Sequence, residues 1–188
     1  MLRHVYCSIA AIGLIVGSPA HSSSLDYVGE CVPFARQVSG IQIFGNAWSW
    51  WGQAEGRYAR GHKPRLGAVL VFAQTSRLPL GHVAVVSRIV EKRVVMVTHA
   101  NWSRLNGERG HAEQDVTIFD VSPTNDWSQV KVWYRDQNGL GTTVYPVYGF
   151  VYGTPDSKTT VPRLVTVSTD LTSKQPDYVG ALIDAYAR

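Results

Sequence analysis

An α+β domain with an antiparallel sheet is predicted by the order of patterns along this 188-residue chain. Two helix-like segments come first, at residues 31–39 and 46–54, and strand-like runs fill the chain from 68 to 152. Helices gathered ahead of strands, rather than alternating with them, are the mark of that class. A hydrophobic content of 45% supplies a core, and the length left after removal of a leader suits one domain.

The chain opens with an export pattern. Arg3 provides the positive charge, residues 5–16 form an apolar run broken by Ser8 and Gly13, and Ser18-Pro19-Ala20 offers small residues for cleavage before His21. Residues 1–20 are therefore expected to be a signal peptide. A membrane-spanning helix needs ~20 apolar residues, so no stable membrane insertion is expected after cleavage. Cys7 lies inside the apolar run rather than at its end, which argues against a lipid anchor. The expected location is periplasmic, or extracellular and associated with the cell wall.

Residues 31–39 step their apolar side chains by three, at Val32, Ala35 and Val38, and Gly40 follows. Pro33 fits only a first helical turn, which puts Cys31 at or just before the helix start. Residues 46–54 read as a second helix capped by Asn46. The strands are expected at 68–72, 82–89, 93–99, 116–119, 130–134 and 147–152. From Thr154 the composition turns to Pro, Ser, Thr and Lys, so 154–188 is expected to be a tail. Val179, Leu182, Ile183 and Tyr186 give it one helix-like face near its end.

With the leader removed, Cys31 is the only cysteine, and an internal disulfide is excluded. A cysteine at a helix start has its thiolate favoured by unpaired N–H groups and the helix dipole. A free thiol in an oxidising compartment also risks oxidation unless it is used. Cys31 is accordingly the candidate nucleophile; a small buried hydrophobe is the alternative. His82 opens a strand-like run and is the candidate base. A hairpin turn symmetric about Glu91-Lys92 puts His82 opposite Asn101, with His99 as its diagonal neighbour. His99 and Asn101, two apart, then face the same side as His82, and either is placed to orient it.

A net charge of +4 suits an anionic partner, but there is no Lys/Arg block and only 17% of residues are charged. No nucleic-acid partner is expected. Neither a cofactor nor a metal is expected, since Cys31, His82 and His99 lack the close spacing of a zinc motif. Asp120, Asp126 and Asp136 have no paired acid, which argues against a glycosidase dyad. Trp48, Trp51 and Trp102 are candidates for substrate-binding cleft walls.

The ordered pieces Cys31-Val32-Pro33-Phe34-Ala35, Gly45-Asn46-Ala47, Pro64-Arg65-Leu66-Gly67-Ala68-Val69, Gly81-His82-Val83-Ala84-Val85-Val86 and His99-Ala100-Asn101-Trp102 together resemble the CHAP family. These are cysteine, histidine-dependent amidohydrolases/peptidases related to the NlpC/P60 enzymes. The resemblance implies a papain-like α+β fold over residues 24–153, with N-terminal helices packed on an antiparallel sheet. It also implies Cys31 as nucleophile, His82 as base and peptidoglycan as substrate. One departure stands out: many CHAP enzymes carry Glu-x-Asn-Trp where this chain has His99-Ala100-Asn101-Trp102. The third role then falls to His99, as in NlpC/P60 relatives, or to Asn101. The expected activity is amide-bond cleavage in peptidoglycan, by an N-acetylmuramoyl-L-alanine amidase or a peptide endopeptidase. The alternatives are a non-catalytic wall-binding protein of the same fold and a secreted antibacterial amidase toxin.

Overall fold

The computed structural model describes residues 26–153; the expected signal peptide at 1–20 and tail at 154–188 lie outside the described residues. The helical elements are α1 (Cys31–Ser39), a 3-10 turn (Ala47–Ser49) and α2 (Trp50–Gln53). The strands are β1 (Ala59–Gly61), β2 (Val69–Phe72), β3 (His82–Glu91), β4 (Val94–Ala100), β5 (Ala112–Asp120), β6 (Gln129–Tyr134), β7 (Gly139–Leu140) and β8 (Tyr145–Tyr152).

The sheet runs β1-β8-β2-β3-β4-β5-β6-β7, and β8 also pairs with β6. Strands β8, β2, β3, β4, β5 and β6 thus close on themselves as a six-stranded antiparallel barrel. This corrects the expected class: the described residues are mostly β, not a papain-like α+β layering with N-terminal helices. Two causes are visible. Strand β8 is long enough to pair with β2 through Val147–Val151 and with β6 through Tyr145 and Pro146, so the sheet leaves few open edges. The expected second helix also breaks into a 3-10 turn and four α-helical residues. Its three Trp and Gly52 are weaker helix formers than Ala or Leu.

Alternation along the strands makes two cores. Leu70, Phe72, Ala84, Val86, Val95, Val97 and Ile118 fill the barrel. Val69, Val71, Val83 and Val85 point outward and are covered by Phe34, Ala35 and Val38 of α1, with Trp50. The buried face of α1 is Cys31, Phe34, Ala35 and Val38, while Val32 is only half-buried. The helix is therefore turned relative to the expected Val32-Ala35-Val38 stripe, and the turn brings Cys31 onto the sheet.

The β3–β4 hairpin turns at Lys92-Arg93, because Glu91 pairs with Val94. Two bulges, at Ser87 and Val90, then shift the pairing, so Val85 meets Thr98. Each bulge displaces the register by one residue. At the site end, the register is the one expected for a turn at Glu91-Lys92.

Candidate active site

Cys31 is the first residue of α1, and the chain before it is stitched to the barrel. Gly29 N–H donates to Gly110 O at 2.7 Å, Ala112 N–H donates to Tyr27 O at 3.2 Å, and Val28 bridges to His111. The sulfur is buried. Burial pushes the thiol up to about 11, and Glu30 pushes in the same direction. The backbone N–H groups of Val83, Cys31 and Val32 face the sulfur and pull the other way, but less strongly. The helix start therefore does not ionise Cys31 at rest, because the cost of burying a charge outweighs the N–H groups that would favour it.

His82 opens β3 directly after Gly81. A Cβ at Gly81 would lie 2.6 Å from Trp48 N and 2.9 Å from Phe72 O, and its φ is +68°. Only glycine lets the 46–48 segment approach the start of β3 this closely. The His82 ring is buried on the barrel side, 4.7 Å from Trp102 and 5.5 Å from Phe72 between centroids. Its Nε2 lies 3.0 Å from Nδ1 of His99. His99 is buried too, with Trp102 stacked on it at 5.8 Å.

Burial, then His99 and Arg109, hold His82 well below its ordinary value. Burial and Arg135 bring His99 down to about 3. Near pH 7 both rings are neutral, so their hydrogen bond has one donor and one acceptor. Among the described residues no side-chain hydrogen bond reaches the Cys31 sulfur.

Asn101 has a φ of +63°. Its Nδ2 donates to Glu30 Oε2 at 2.7 Å, and its N–H to His111 O at 3.0 Å. Of the two candidates for the third role, His99 is the one that contacts the His82 imidazole. Asn101 is tied to Glu30 instead.

Cys31, His82 and Asn101 line a single cavity of about 510 Å³, a size suited to a small ligand or part of a polymer. Arg36, Arg77 and Arg109 also line it. None of the three candidate tryptophans does. The exposed Trp48 donates its main-chain N–H to Leu80 O at 3.2 Å. Trp51 packs on Gly149, with Arg60 4.9 Å above its ring. Trp102 is buried behind the histidines. Among the described residues no group of three or more His, Cys, Asp or Glu side chains is arranged to hold a metal ion.

Glu113 lies outside the strand expected at 116–119, and no motif in the sequence singles it out. The residue is buried on β5 and directly opposite His99. Only the β4–β5 register reveals it.

Residues 21–101 match the family model of the CHAP domain, so the resemblance read from the ordered motifs holds. No curated protein matches the chain. Among solved structures, one titled "The crystal structure of Ly7917 with the hydrolyzing product of MDP" is similar at 15% identity. The match covers 67% of this chain and 87% of that chain, with a TM-score of 0.29. That likeness is too slight to bear on the fold or the site.

Proposed function

From a CHAP domain at residues 21–101, we propose that the protein is an exported cysteine hydrolase that cuts amide bonds of peptidoglycan. The observation that carries this is the shared cavity wall of Cys31 and His82, with His82 held from behind by His99 at 3.0 Å. That is the order of nucleophile, base and orienting group found in acyl-transfer sites. The bond cut joins either sugar to stem peptide or two residues of the peptide.

The resting pair is a neutral thiol and a neutral imidazole. His82 takes the thiol proton as Sγ attacks the carbonyl carbon, so the sulfur never has to persist as a buried anion. The backbone N–H of Cys31 is one donor for the tetrahedral oxyanion. The His82 imidazolium gives its proton to the leaving nitrogen, the C–N bond breaks, and a thioester remains on Cys31. Water then attacks the thioester with His82 as base, releasing the carboxylate product and restoring the thiol. Arg36, Arg77 and Arg109 give the cleft positive charge towards carboxylate-bearing peptide.

The test compares wild type and Cys31→Ala, each starting at His21, on purified cell wall. The wild type releases free amines or soluble fragments, and the variant is slower by about a hundredfold or more. Equal release by both rules the mechanism out. A second reading, a wall-binding protein without catalysis, has the protonated state of Cys31 in its favour. It predicts wall sedimentation of the wild type with no release at all.

A further inference from the structure

Behind the two histidines lies a buried carboxyl group that the cleavage steps above leave unused. Glu113 Oε1 accepts the Ser103 N–H at 2.8 Å and stands 3.8 Å from Nε2 of His99. On its other side, Oε2 lies 3.9 Å from Nε of Arg135. Both His99 Nε2 and Glu113 Oε2 are buried without a hydrogen-bond partner among the described residues. Buried polar atoms rarely stay unpaired, because each costs its lost hydration. Here the two belong to directly opposed residues whose side chains already approach to 3.8 Å. Hydrogen bonds of this kind are often long in an unliganded site and tighten when it fills.

The sheet makes a specific irregularity to put Glu113 there. Val97 pairs with Val116, but His99 pairs with Glu113, so Gln114 and Asp115 together oppose Thr98. Asp115 takes a φ of +54° at this bulge. Its carboxylate is held by Ser87 Oγ at 2.8 Å and by Arg88 Nη2 at 3.3 Å. Without the extra residue, Gln114 would face His99. Bulges beside active sites commonly serve to re-aim one side chain.

We propose that Glu113 is a positioning residue, whose carboxylate accepts the Nε2–H of His99 and thereby sets which nitrogen of His82 is free to act as base. A neutral imidazole carries one proton. With that proton on Nε2 of His99, Nδ1 of His99 is an acceptor, and His82 must donate to it from Nε2. The bare nitrogen of His82 is then Nδ1, the one not turned to His99, and it is the nitrogen left to take the Cys31 proton. The reverse order, with His99 donating from Nδ1, puts the His82 proton on Nδ1 and leaves no base for the thiol. An ionised carboxylate only accepts, so it selects the first order. The same contact spreads the positive charge that His82 acquires during cleavage. This assignment rests on the hydrolase reading, and Glu113 lies beyond the residues matched by the family model.

The primary test needs no variant: nitrogen-15 spectra of the folded wild type report which ring nitrogens are protonated. Both His82 and His99 are expected to carry hydrogen on Nε2; a His99 protonated on Nδ1 overturns the proposal. Glu113→Gln keeps the shape and an acceptor for Ser103 but removes the charge and adds a donor. It is expected to mix the two tautomers and lower kcat roughly tenfold or more with KM unchanged, and Glu113→Asp is expected to recover part of the loss. Wild-type kcat and tautomers in Glu113→Gln, alongside an inactive Cys31→Ala, would remove Glu113 and leave the hydrolase intact. An active Cys31→Ala would instead remove the hydrolase, while the tautomer measurement still decides what Glu113 does to His99.

Discussion

The imidazole side of the site is built from strands, and the thiol side from a helix start and the loops around it. His82 and His99 stand on neighbouring strands inside an aromatic wall of Phe72, Trp102, Tyr134 and Tyr145. Cys31 is held by backbone hydrogen bonds around Gly29 and Ala112, beside an exposed Asn101–Glu30 pair. Packing fixes the imidazole, and main-chain stitching fixes the thiol. Both sides discourage charge by burial, so the resting state is thiol and imidazole rather than an ion pair. His82 and His99 on the strand side are sealed from water, whereas the Asn101–Glu30 pair on the loop side is exposed.

The largest expected difference separates the two candidates for the third role. His99→Ala leaves His82 Nε2 buried without its partner and is expected to lower kcat about a hundredfold or more. Asn101→Gly retains the positive φ, removes only the contact to Glu30, and is expected to cost a few-fold, by analogy with other exposed hydrogen bonds. Release rates from the same wall substrate compare them, and a larger loss from Asn101→Gly would reverse the contrast.

Acid stability gives the next effect. His82 and His99 are both depressed, His99 to about 3. An unfolded chain takes up these two protons as pH falls through about 6.5, while the folded protein refuses them until a much lower pH. Their contribution is thus intact above about pH 6.5 and is lost as pH drops towards 3. Each histidine changes the folding equilibrium by up to about tenfold per pH unit in that window. Denaturant midpoints measured between pH 7.5 and 4 should fall steeply, and His99→Gln should flatten the slope. A level profile would place water or charge beside the rings.

The smallest effect lies on the thiol side. Wild-type Cys31 is expected to alkylate slowly at neutral pH and faster towards pH 11, the direction set by its raised thiol. Glu30→Gln removes a neighbouring negative charge and should speed alkylation at pH 8 by a few-fold only, since Glu30 is exposed and screened. Rapid alkylation of the wild type at pH 5–6 would reveal an ion pair and erase the distinction between the two sides.

Much of the candidate site was legible because motif order survives folding. Pro33 in a first turn put Cys31 at a helix start, and the apolar run after His82 marked a strand. The hairpin register next to the site matches the expected one through two bulges that the residue pattern does not announce. The turn sits at Lys92-Arg93, and the bulges at Ser87 and Val90 shift the pairing back. Trp102, expected as a cleft wall, is buried by barrel closure behind the histidines.

Local patterning by itself determined α1, the central strands and the Cys31–His82–His99 series, since periodicity, proline restriction and glycine punctuation act over a few residues. Closure of six strands into a barrel, the neutral state of the thiol and the placement of Glu113 opposite His99 belong to the tertiary structure alone. Each depends on contacts between distant segments: β8 meeting β6, bulk covering a sulfur, and one extra residue at Asp115 moving a carboxylate across the sheet. Such contacts leave no short-range signature, because a bulge or a burial is defined only by the strand or helix on the other side.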